Sequence, residues 1–234
     1  MQFPRPLVTG TLLRRYQRFL ADVRLDSGEQ VTAHCPNTGS MLGLKDPGNR
    51  VWLSPADKPD RKLAWTWEMV EADGVSVGIH TGRANGLVRE ALEAGLLPKL
   101  SGFTSCRAEA PLSARSRTDL LLGFPAGPCF VEVKSVTAAV ADGVGFFPDA
   151  VSDRAAKHVR ELAEAVSGGA RAAVVFCVQR GDVNEVRPAG HIDPVFAHSL
   201  RQAVGQGVEL YALGASVSQA GIRLERPLNV NLEG

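Results

Sequence analysis

Two stretches, Thr118-Asp119-Leu120 and Phe130-Val131-Glu132-Val133-Lys134, decide how the second half of this chain folds. Both are rich in β-prone residues, and the turn-forming segment 123–128 (GFPAGP) separates them, so we predict a β-hairpin. Side chains alternate between the two faces of a strand, which puts Glu132 and Lys134 on one face and the two valines on the other. Asp119 on the neighbouring strand brings a second carboxylate alongside.

Two acids and a lysine in this arrangement suit metal-dependent chemistry. Carboxylates held close together repel each other unless they share a divalent cation. Oxygen ligands of this kind favour Mg²⁺ or Mn²⁺, and Lys134 would orient or deprotonate the attacking water. The spacing Asp119-x12-Glu132-x-Lys134 is similar to the motif of the PD-(D/E)xK nuclease superfamily, which lies on such a hairpin. An exposed salt bridge between Glu132 and Lys134 is the alternative that the spacing alone leaves open.

The elements around the hairpin predict an α/β domain over residues 81–234. Asn85 and Ser152 can each cap a helix, and Asp193-Pro194 begins a third. The predicted strands are 102–108, 118–124, 129–136, 171–178 and 208–213. The resulting order, α-β-β-β-α-β-α-β, indicates a mixed sheet flanked by helices. This order is typical of PD-(D/E)xK nuclease-like domains and favours the catalytic interpretation of the hairpin.

The first eighty residues predict a separate all-β domain. The β-prone runs are 7–15, 18–25, 30–35, 50–54, 64–71 and 75–80. Turn chemistry at 26–29 (DSGE) joins the second and third runs into a hairpin. Short strands in so little chain suggest a small Greek-key barrel, with the OB fold as one option. We therefore predict an OB-fold-like barrel over residues 1–80.

Composition excludes several classes of protein. The chain has 234 residues, of which 44% are hydrophobic and 22% charged, as in ordinary globular proteins. The longest apolar run, 172–178, is far shorter than the ~20 residues that a membrane-spanning helix needs. We see no secretory signal and no paired cysteine spacing, so we expect a cytoplasmic protein with reduced thiols and no zinc site.

Charge is nearly balanced overall but not along the chain. The net charge is +1, which does not by itself indicate a nucleic-acid-binding protein. Residues 1–24 nevertheless hold five arginines against a single acid, Asp22. Three of these arginines, Arg14, Arg15 and Arg18, are predicted to contact DNA phosphates. A solvated, non-binding face is the alternative.

The chain resembles the sugar fermentation stimulation protein family (SfsA) over essentially its whole length. The resemblance lies in the ordered blocks 15–23 (RYQRFLADV), 34–41 (HCPNTGSM), 65–68 (WTWE), 85–91 (NGLVREA), 116–119 (SRTD), 131–137 (VEVKSVT) and 147–159 (FPDAVSDRAAKHV). It implies an OB-fold-like domain joined to a nuclease-like domain. It also implies a cytoplasmic protein that binds DNA without strong sequence preference and is linked to regulation of sugar (maltose) metabolism.

The resemblance also implies a set of site residues. The catalytic positions would be Glu90, Asp119, Glu132 and Lys134. The metal ligands would be Glu90, Asp119, Glu132 and the backbone carbonyl of Val133. Resemblance to the nuclease superfamily further suggests that Arg154 holds a phosphate and that His158, four residues along the same helix, assists proton transfer.

Two functions stay open at this level. The first is a Mg²⁺- or Mn²⁺-dependent phosphodiesterase that acts on nucleic acid, DNA in the first place. The second is a DNA-binding regulator without catalysis, built on a nuclease scaffold. Fold alone does not decide between them, because one fold hosts many functions.

Overall fold

The N-terminal part of the chain forms a β-barrel in the computed structural model, which describes residues 1–56, 61–114 and 116–233. The strands are β1 (Val8–Tyr16), β2 (Leu20–Leu25), β3 (Gln30–His34), β4 (Arg50–Pro55), β5 (Trp65–Ala72) and β6 (Val75–Gly78). Their order is β3-β2-β1-β4-β5-β6, and a parallel pairing of β3 with β5 closes the first five strands. The predicted small closed barrel is confirmed.

The hairpin of β2 and β3 shows how local sequence builds the barrel. The pair is antiparallel, and alternate residues Ala21, Val23 and Leu25 point into a buried core. The prediction that this strand begins at residue 18 is wrong. Gln17 and Arg18 have φ values of 48° and 66°, so they form a turn between β1 and β2, and the strand begins at Leu20.

The C-terminal part of the chain forms a mixed α/β domain. Its helices are α1 (Ala84–Glu93), α2 (Asp153–Ser167) and α3 (Pro194–Gly205). Its strands are β7 (Ser105–Ser113), β8 (Ser116–Phe124), β9 (Gly127–Val136), β10 (Ala138–Val140), β11 (Val144–Phe147), β12 (Arg171–Val178), β13 (Glu185–Pro188), β14 (Glu209–Ser218) and β15 (Gly221–Val230). They follow the order β10-β11-β13-β15-β14-β12-β9-β8-β7. The predicted mixed sheet with flanking helices is confirmed.

Four of these strands, β10, β11, β13 and β15, were not predicted. The first three have three or four residues each, too few for a periodic pattern. β15 does alternate, with Ile222 and Leu224 buried and Arg223 exposed. It pairs antiparallel with β14 and completes the centre of the sheet.

Helices cover both faces of the sheet. α1 packs on the face that carries Val131 and Val133 of β9. α2 and α3 pack on the opposite face, against alternate residues of β12 such as Val174 and Phe176. Glu132 and Lys134 point toward that second face, as the alternation predicts. Among the described residues, no helix is long and apolar enough to span a membrane.

The barrel and the α/β domain are joined by specific polar contacts. The Gly78 amide at the end of β6 donates to the Gln179 carbonyl at 2.8 Å. Arg83, just before α1, donates twice to the buried Glu68 carboxylate of β5, at 2.7 and 2.5 Å. These contacts place the barrel beside the carboxyl ends of β9 and β12.

Candidate active site

Asp119 lies where the ladder between β8 and β9 stops. The last backbone pair of this ladder is Leu120 with Val131. Beyond it, one oxygen of Asp119 accepts the Val133 N–H at 2.7 Å, in place of a backbone carbonyl. The other oxygen accepts the amide of Asn85 on α1 at 2.9 Å. The Asp119 carboxylate is therefore fixed by a strand on one side and a helix on the other.

Glu132 is the centre of a buried charged cluster. Lys134 Nζ and His158 Nδ1 both donate to the same oxygen, Glu132 Oε1, at 2.7 Å each. The three side chains are 4%, 8% and 7% exposed for Glu132, Lys134 and His158. The second oxygen, Glu132 Oε2, is buried and has no hydrogen-bond partner among the described residues. A buried carboxylate oxygen without a partner is costly, so it marks a position for a ligand.

The two carboxylates have opposite electrostatic behaviour. Burial, and then the neighbouring charge of Glu132, raise the pKa of Asp119. Burial also acts to raise the pKa of Glu132, but the hydrogen bonds and charges of His158 and Lys134 outweigh it, and this pKa is lowered. The negative charge thus concentrates on Glu132.

These residues fit a hard divalent cation. The charge of Glu132 raises the pKa of Asp119, and Glu132 Oε2 offers an unused lone pair. Within the described ranges no group of three or more His, Cys, Asp or Glu side chains is placed to hold a metal. Waters, a backbone carbonyl or substrate oxygens would supply the other ligands, which is the usual habit of Mg²⁺. The Val133 carbonyl as a ligand stays a prediction.

Glu90 does not join this cluster, although the family resemblance implied that it would. Its carboxylate pairs with the Met1 amino group at 2.6 Å, and its side chain is 52% exposed. The reason is helical geometry: Glu90 follows Asn85 by five residues, which turns it about 140° around α1. Asn85, not Glu90, is therefore the residue of α1 that reaches Asp119.

The three N-terminal arginines lie close in sequence but have different surroundings. Arg14 is exposed and pairs with Asp22 at 2.8 Å. The Arg15 guanidinium donates to the backbone carbonyls of Arg18, Asn37 and Gly39 at 2.7 to 3.0 Å. Arg15 therefore holds the loop 37–39 instead of offering its guanidinium to a phosphate.

Arg18 lies at the rim of a cleft between the two domains, which we call the barrel-side cleft. The cleft has a volume of about 430 Å³ and is lined by Arg18, Asn37 and Thr38 of the barrel and by Asn85, Lys134 and Asp149 of the α/β domain. The structure thus brings Arg18 and Lys134 to one space, although 116 residues separate them in sequence.

Arg154 and His158 line a second cleft, on the other side of Glu132. This helix-side cleft has a volume of about 740 Å³, and its lining also includes Arg117 and Lys157. His158 contacts Glu132 directly, whereas the exposed Arg154 lies one helical turn away. Glu132 connects the two clefts through hydrogen bonds, because Lys134 lines the first cleft and His158 lines the second.

Asn85 and Asp149 were given no site role by the sequence reasoning. Asn85 was expected to cap α1, but the helix begins one residue earlier, at Ala84, and Arg83 occupies the cap position. The side chain of Asn85 is thereby free to reach Asp119. Asp149 lies in the block 147–159 that carries the family resemblance, and its contacts with the barrel had no signal in local sequence.

This is the structure of a two-domain protein. A closed barrel of the OB type lies beside a mixed sheet flanked by helices, and a cluster of carboxylates and a lysine lies at their junction. Residues 13–79 match the family model "SfsA N-terminal OB domain" and residues 82–221 the model "Sugar fermentation stimulation protein RE domain". The chain belongs to the sugar fermentation stimulation protein family.

The chain is similar to its relatives along its whole length. The chain is 56% identical to the sugar fermentation stimulation protein homolog of Alkalilimnicola ehrlichii, covering 99% of each protein. It is also 56% identical to the homolog of Halorhodospira halophila, covering 100% of this chain and 99% of that protein. The solved structure of SfsA from Pyrococcus furiosus, described as a complex with Ca²⁺, matches with a TM-score of 0.88 and 29% identity over 99% of this chain and 98% of that chain.

Proposed function

We propose that this protein is a metal-dependent phosphodiesterase that cleaves DNA. The observation that carries the proposal is the buried, unpartnered Oε2 of Glu132, next to Asp119 and on a carboxylate already bound by Lys134 and His158. Asp119 and Glu132 would hold Mg²⁺ or Mn²⁺. When bound, such a cation lowers the pKa of a coordinated water and offsets charge on phosphate oxygens.

The chain's own residues supply the rest of the chemistry. Lys134 Nζ has three protons and donates one to Glu132, so the others can orient the attacking water or a phosphate oxygen. His158, the second donor to Glu132 Oε1, would move a proton, and Arg154 would bind a neighbouring phosphate. Asn85 keeps the Asp119 carboxylate oriented.

The relative from Pyrococcus furiosus supports the cation. Its structure is described as a Ca²⁺ complex, and Ca²⁺ takes the same oxygen ligands as Mg²⁺. We propose the smaller cations for this chain because two carboxylates leave several positions for water. The four cysteines are free thiols, which is consistent with action in the reducing cytoplasm.

Cleavage assays test the catalytic proposal. The wild type, incubated with labelled DNA and Mg²⁺ or Mn²⁺, is expected to cut DNA. Lys134→Ala should abolish cleavage while leaving DNA affinity within a few-fold, because it removes water positioning but few phosphate contacts. Lys99→Ala, an exposed lysine outside both clefts, is the matched control. Undiminished cleavage by the Lys134 variant would contradict the proposal.

Thermal unfolding tests the metal. A cation bound only by the folded protein adds about 2.7 kcal/mol of stability at a hundred times its dissociation constant. We expect Mn²⁺ to raise the melting temperature of the wild type but not of Asp119→Asn or Glu132→Gln. Asp46→Asn removes an exposed carboxylate elsewhere and should respond like the wild type. Equal shifts in all four proteins would reject this metal site.

A DNA-binding regulator of sugar metabolism without catalysis is the second candidate. It is favoured by the ion pair of Lys134 with Glu132, which compensates a buried carboxylate without any catalytic role. Failure of the wild type to cut single-stranded, duplex or branched nucleic acid with either metal, together with retained DNA binding, would favour this candidate.

A further inference from the structure

The barrel-side cleft is built by both domains, and its barrel wall is held from two sides. Arg15 binds the carbonyls of Asn37 and Gly39 from within the barrel. From the α/β domain, Asp149 Oδ2 accepts the Met41 N–H at 3.0 Å, and the Asp149 carbonyl accepts the Ser40 hydroxyl at 2.5 Å. The loop 37–41 is therefore fixed against the segment that follows β11.

Gly39 makes this contact possible. A Cβ atom at position 39 would overlap both carboxylate oxygens of Asp149. Any larger residue would therefore displace the Asp149 carboxylate or the loop and break their contact. Asp149 acts here as a positioning residue, because its carboxylate holds the loop and does not touch Lys134.

The walls of the cleft differ in chemistry. The guanidinium of Arg18 on the barrel side has no hydrogen-bond or ion-pair partner among the described residues, and the polar Asn37 and Thr38 line the same cleft. The opposite wall carries the polar side chains of Asn85, Lys134 and Asp149 together with an apolar strip of Phe147, Pro148 and Val151, of which Val151 is 71% exposed. A nucleotide offers groups that suit both walls: an anionic phosphate for Arg18 and an apolar base face for Phe147, Pro148 and Val151.

The size and depth of the cleft exclude paired DNA from its floor. A volume of about 430 Å³ is that of a pocket for one small molecule, and Lys134 at the floor is only 8% exposed. In a duplex each nucleotide is stacked and paired, and it must leave the helix before it can enter such a site. An unpaired nucleotide can enter the cleft without first leaving a duplex.

We infer that the barrel-side cleft selects single-stranded DNA over duplex, and that Asp149 creates this selectivity by holding the loop 37–41 against the α/β domain. Arg18 binds the phosphate of the unpaired nucleotide, and its base packs against Phe147, Pro148 and Val151. The inference rests on the proposed function, since it names the substrate class of that same site.

The test measures affinity for one labelled oligonucleotide, alone and annealed to its complement, with the full-length protein, a chelator and one salt concentration. The wild type is expected to bind the single strand at least about tenfold more tightly, the gain that stacking and phosphate contacts give per ordered nucleotide. Arg18→Ala should weaken single-strand binding more than duplex binding.

Variants of the loop contact test the positioning role. Asp149→Ala and Gly39→Ala should each bring the ratio of the two affinities toward one. Asp149→Asn should keep most of the ratio, because its amide oxygen can still accept the Met41 N–H. Far-UV circular dichroism and melting temperature show whether each variant is folded, and the affinity ratio is compared only among folded variants.

The outcomes separate the two proposals. Equal affinity of the wild type for both forms, or an unchanged ratio in the folded Asp149→Ala and Gly39→Ala variants, overturns the inference on selectivity. If metal-dependent cleavage persists in that case, the proposed function stands. Failure of the wild type to bind either form also overturns the inference on selectivity, whereas only the absence of cleavage with Mg²⁺ or Mn²⁺ overturns the proposed function.

Discussion

Replacing Lys134 with methionine leaves the carboxylate of Glu132 buried with one of its two donors gone. Removing one partner of a buried ion pair costs about 3 to 5 kcal/mol, because the remaining charge is left without compensation. His158 still donates to Glu132 Oε1, so we expect the lower end of this range, about 3 kcal/mol. For a chain of this length that is a fall in melting temperature of roughly 6 to 12 °C.

The double variant Lys134→Met/Glu132→Gln shows whether the ion pair is the cause. Glu132→Gln alone should cost about 2 kcal/mol, because it leaves the Lys134 ammonium buried beside a neutral amide. With both charges removed, no charge is left uncompensated, and the loss should again be only about 2 kcal/mol. The two changes are therefore expected to be coupled by about 2 to 3 kcal/mol.

Melting curves in a chelator measure this coupling without a contribution from bound metal. Lys99→Met is the matched control, an exposed lysine whose replacement should change stability by less than about 0.5 kcal/mol. If the losses of the two single variants simply add in the double variant, the buried pair does not act as a unit and the reasoning fails.

Three further predictions concern other parts of the chain. Arg15→Ala should lower stability in thermal unfolding by about 2 kcal/mol, because three carbonyls lose their donor, whereas Arg14→Ala should cost less because Arg14 is exposed; equal losses would count against the structural role of Arg15. Asn85→Ala should cost about 1 to 2 kcal/mol and weaken Mn²⁺ stabilisation, and an unchanged response to Mn²⁺ would show that Asn85 does not orient Asp119. Burial raises the pKa of the Cys177 thiol from 9.0 to about 12. The stability that the protonated thiol contributes is therefore fully present below pH 9.0. Above that pH it is lost at about 1.4 kcal/mol per pH unit. Cys177→Ala should make stability less steep between pH 9 and 11 in urea titrations, and an unchanged slope would refute this.

The hairpin was predictable because a local rule decides it. Alternation along a strand puts Glu132 and Lys134 on one face whatever the rest of the chain does. A local signal also explains the hairpin of β2 and β3 in the barrel, since turn-forming residues at 26–29 separate two β-prone runs. The contact of His158 with Glu132 needed more than a local rule, because it depends on how α2 packs on the sheet.

The differences between expectation and structure depend on the exact start or the rotation of an element. Asn85 would cap α1 if the helix began at Gly86, and an earlier start by two residues, at Ala84, lets its side chain reach Asp119. Whether Glu90 faces the site depends on the rotation of α1, which packing on the sheet fixes. Arg15 and Arg18 differ because the turn at Gln17 and Arg18 directs one inward and leaves the other at the cleft.

The two domains contribute different parts of the site. The carboxylates of Asp119 and Glu132 and their donors Asn85, Lys134 and His158 all belong to the α/β domain, and none needs the barrel for its hydrogen bonds. The barrel contributes one wall of the cleft above Lys134, held there by Asp149. Changes in the loop 37–41 should therefore alter which DNA enters, whereas changes in β8 and β9 should alter what happens to it. Since the two sets of residues share no hydrogen bond, their effects on binding ratio and on cleavage rate should be independent.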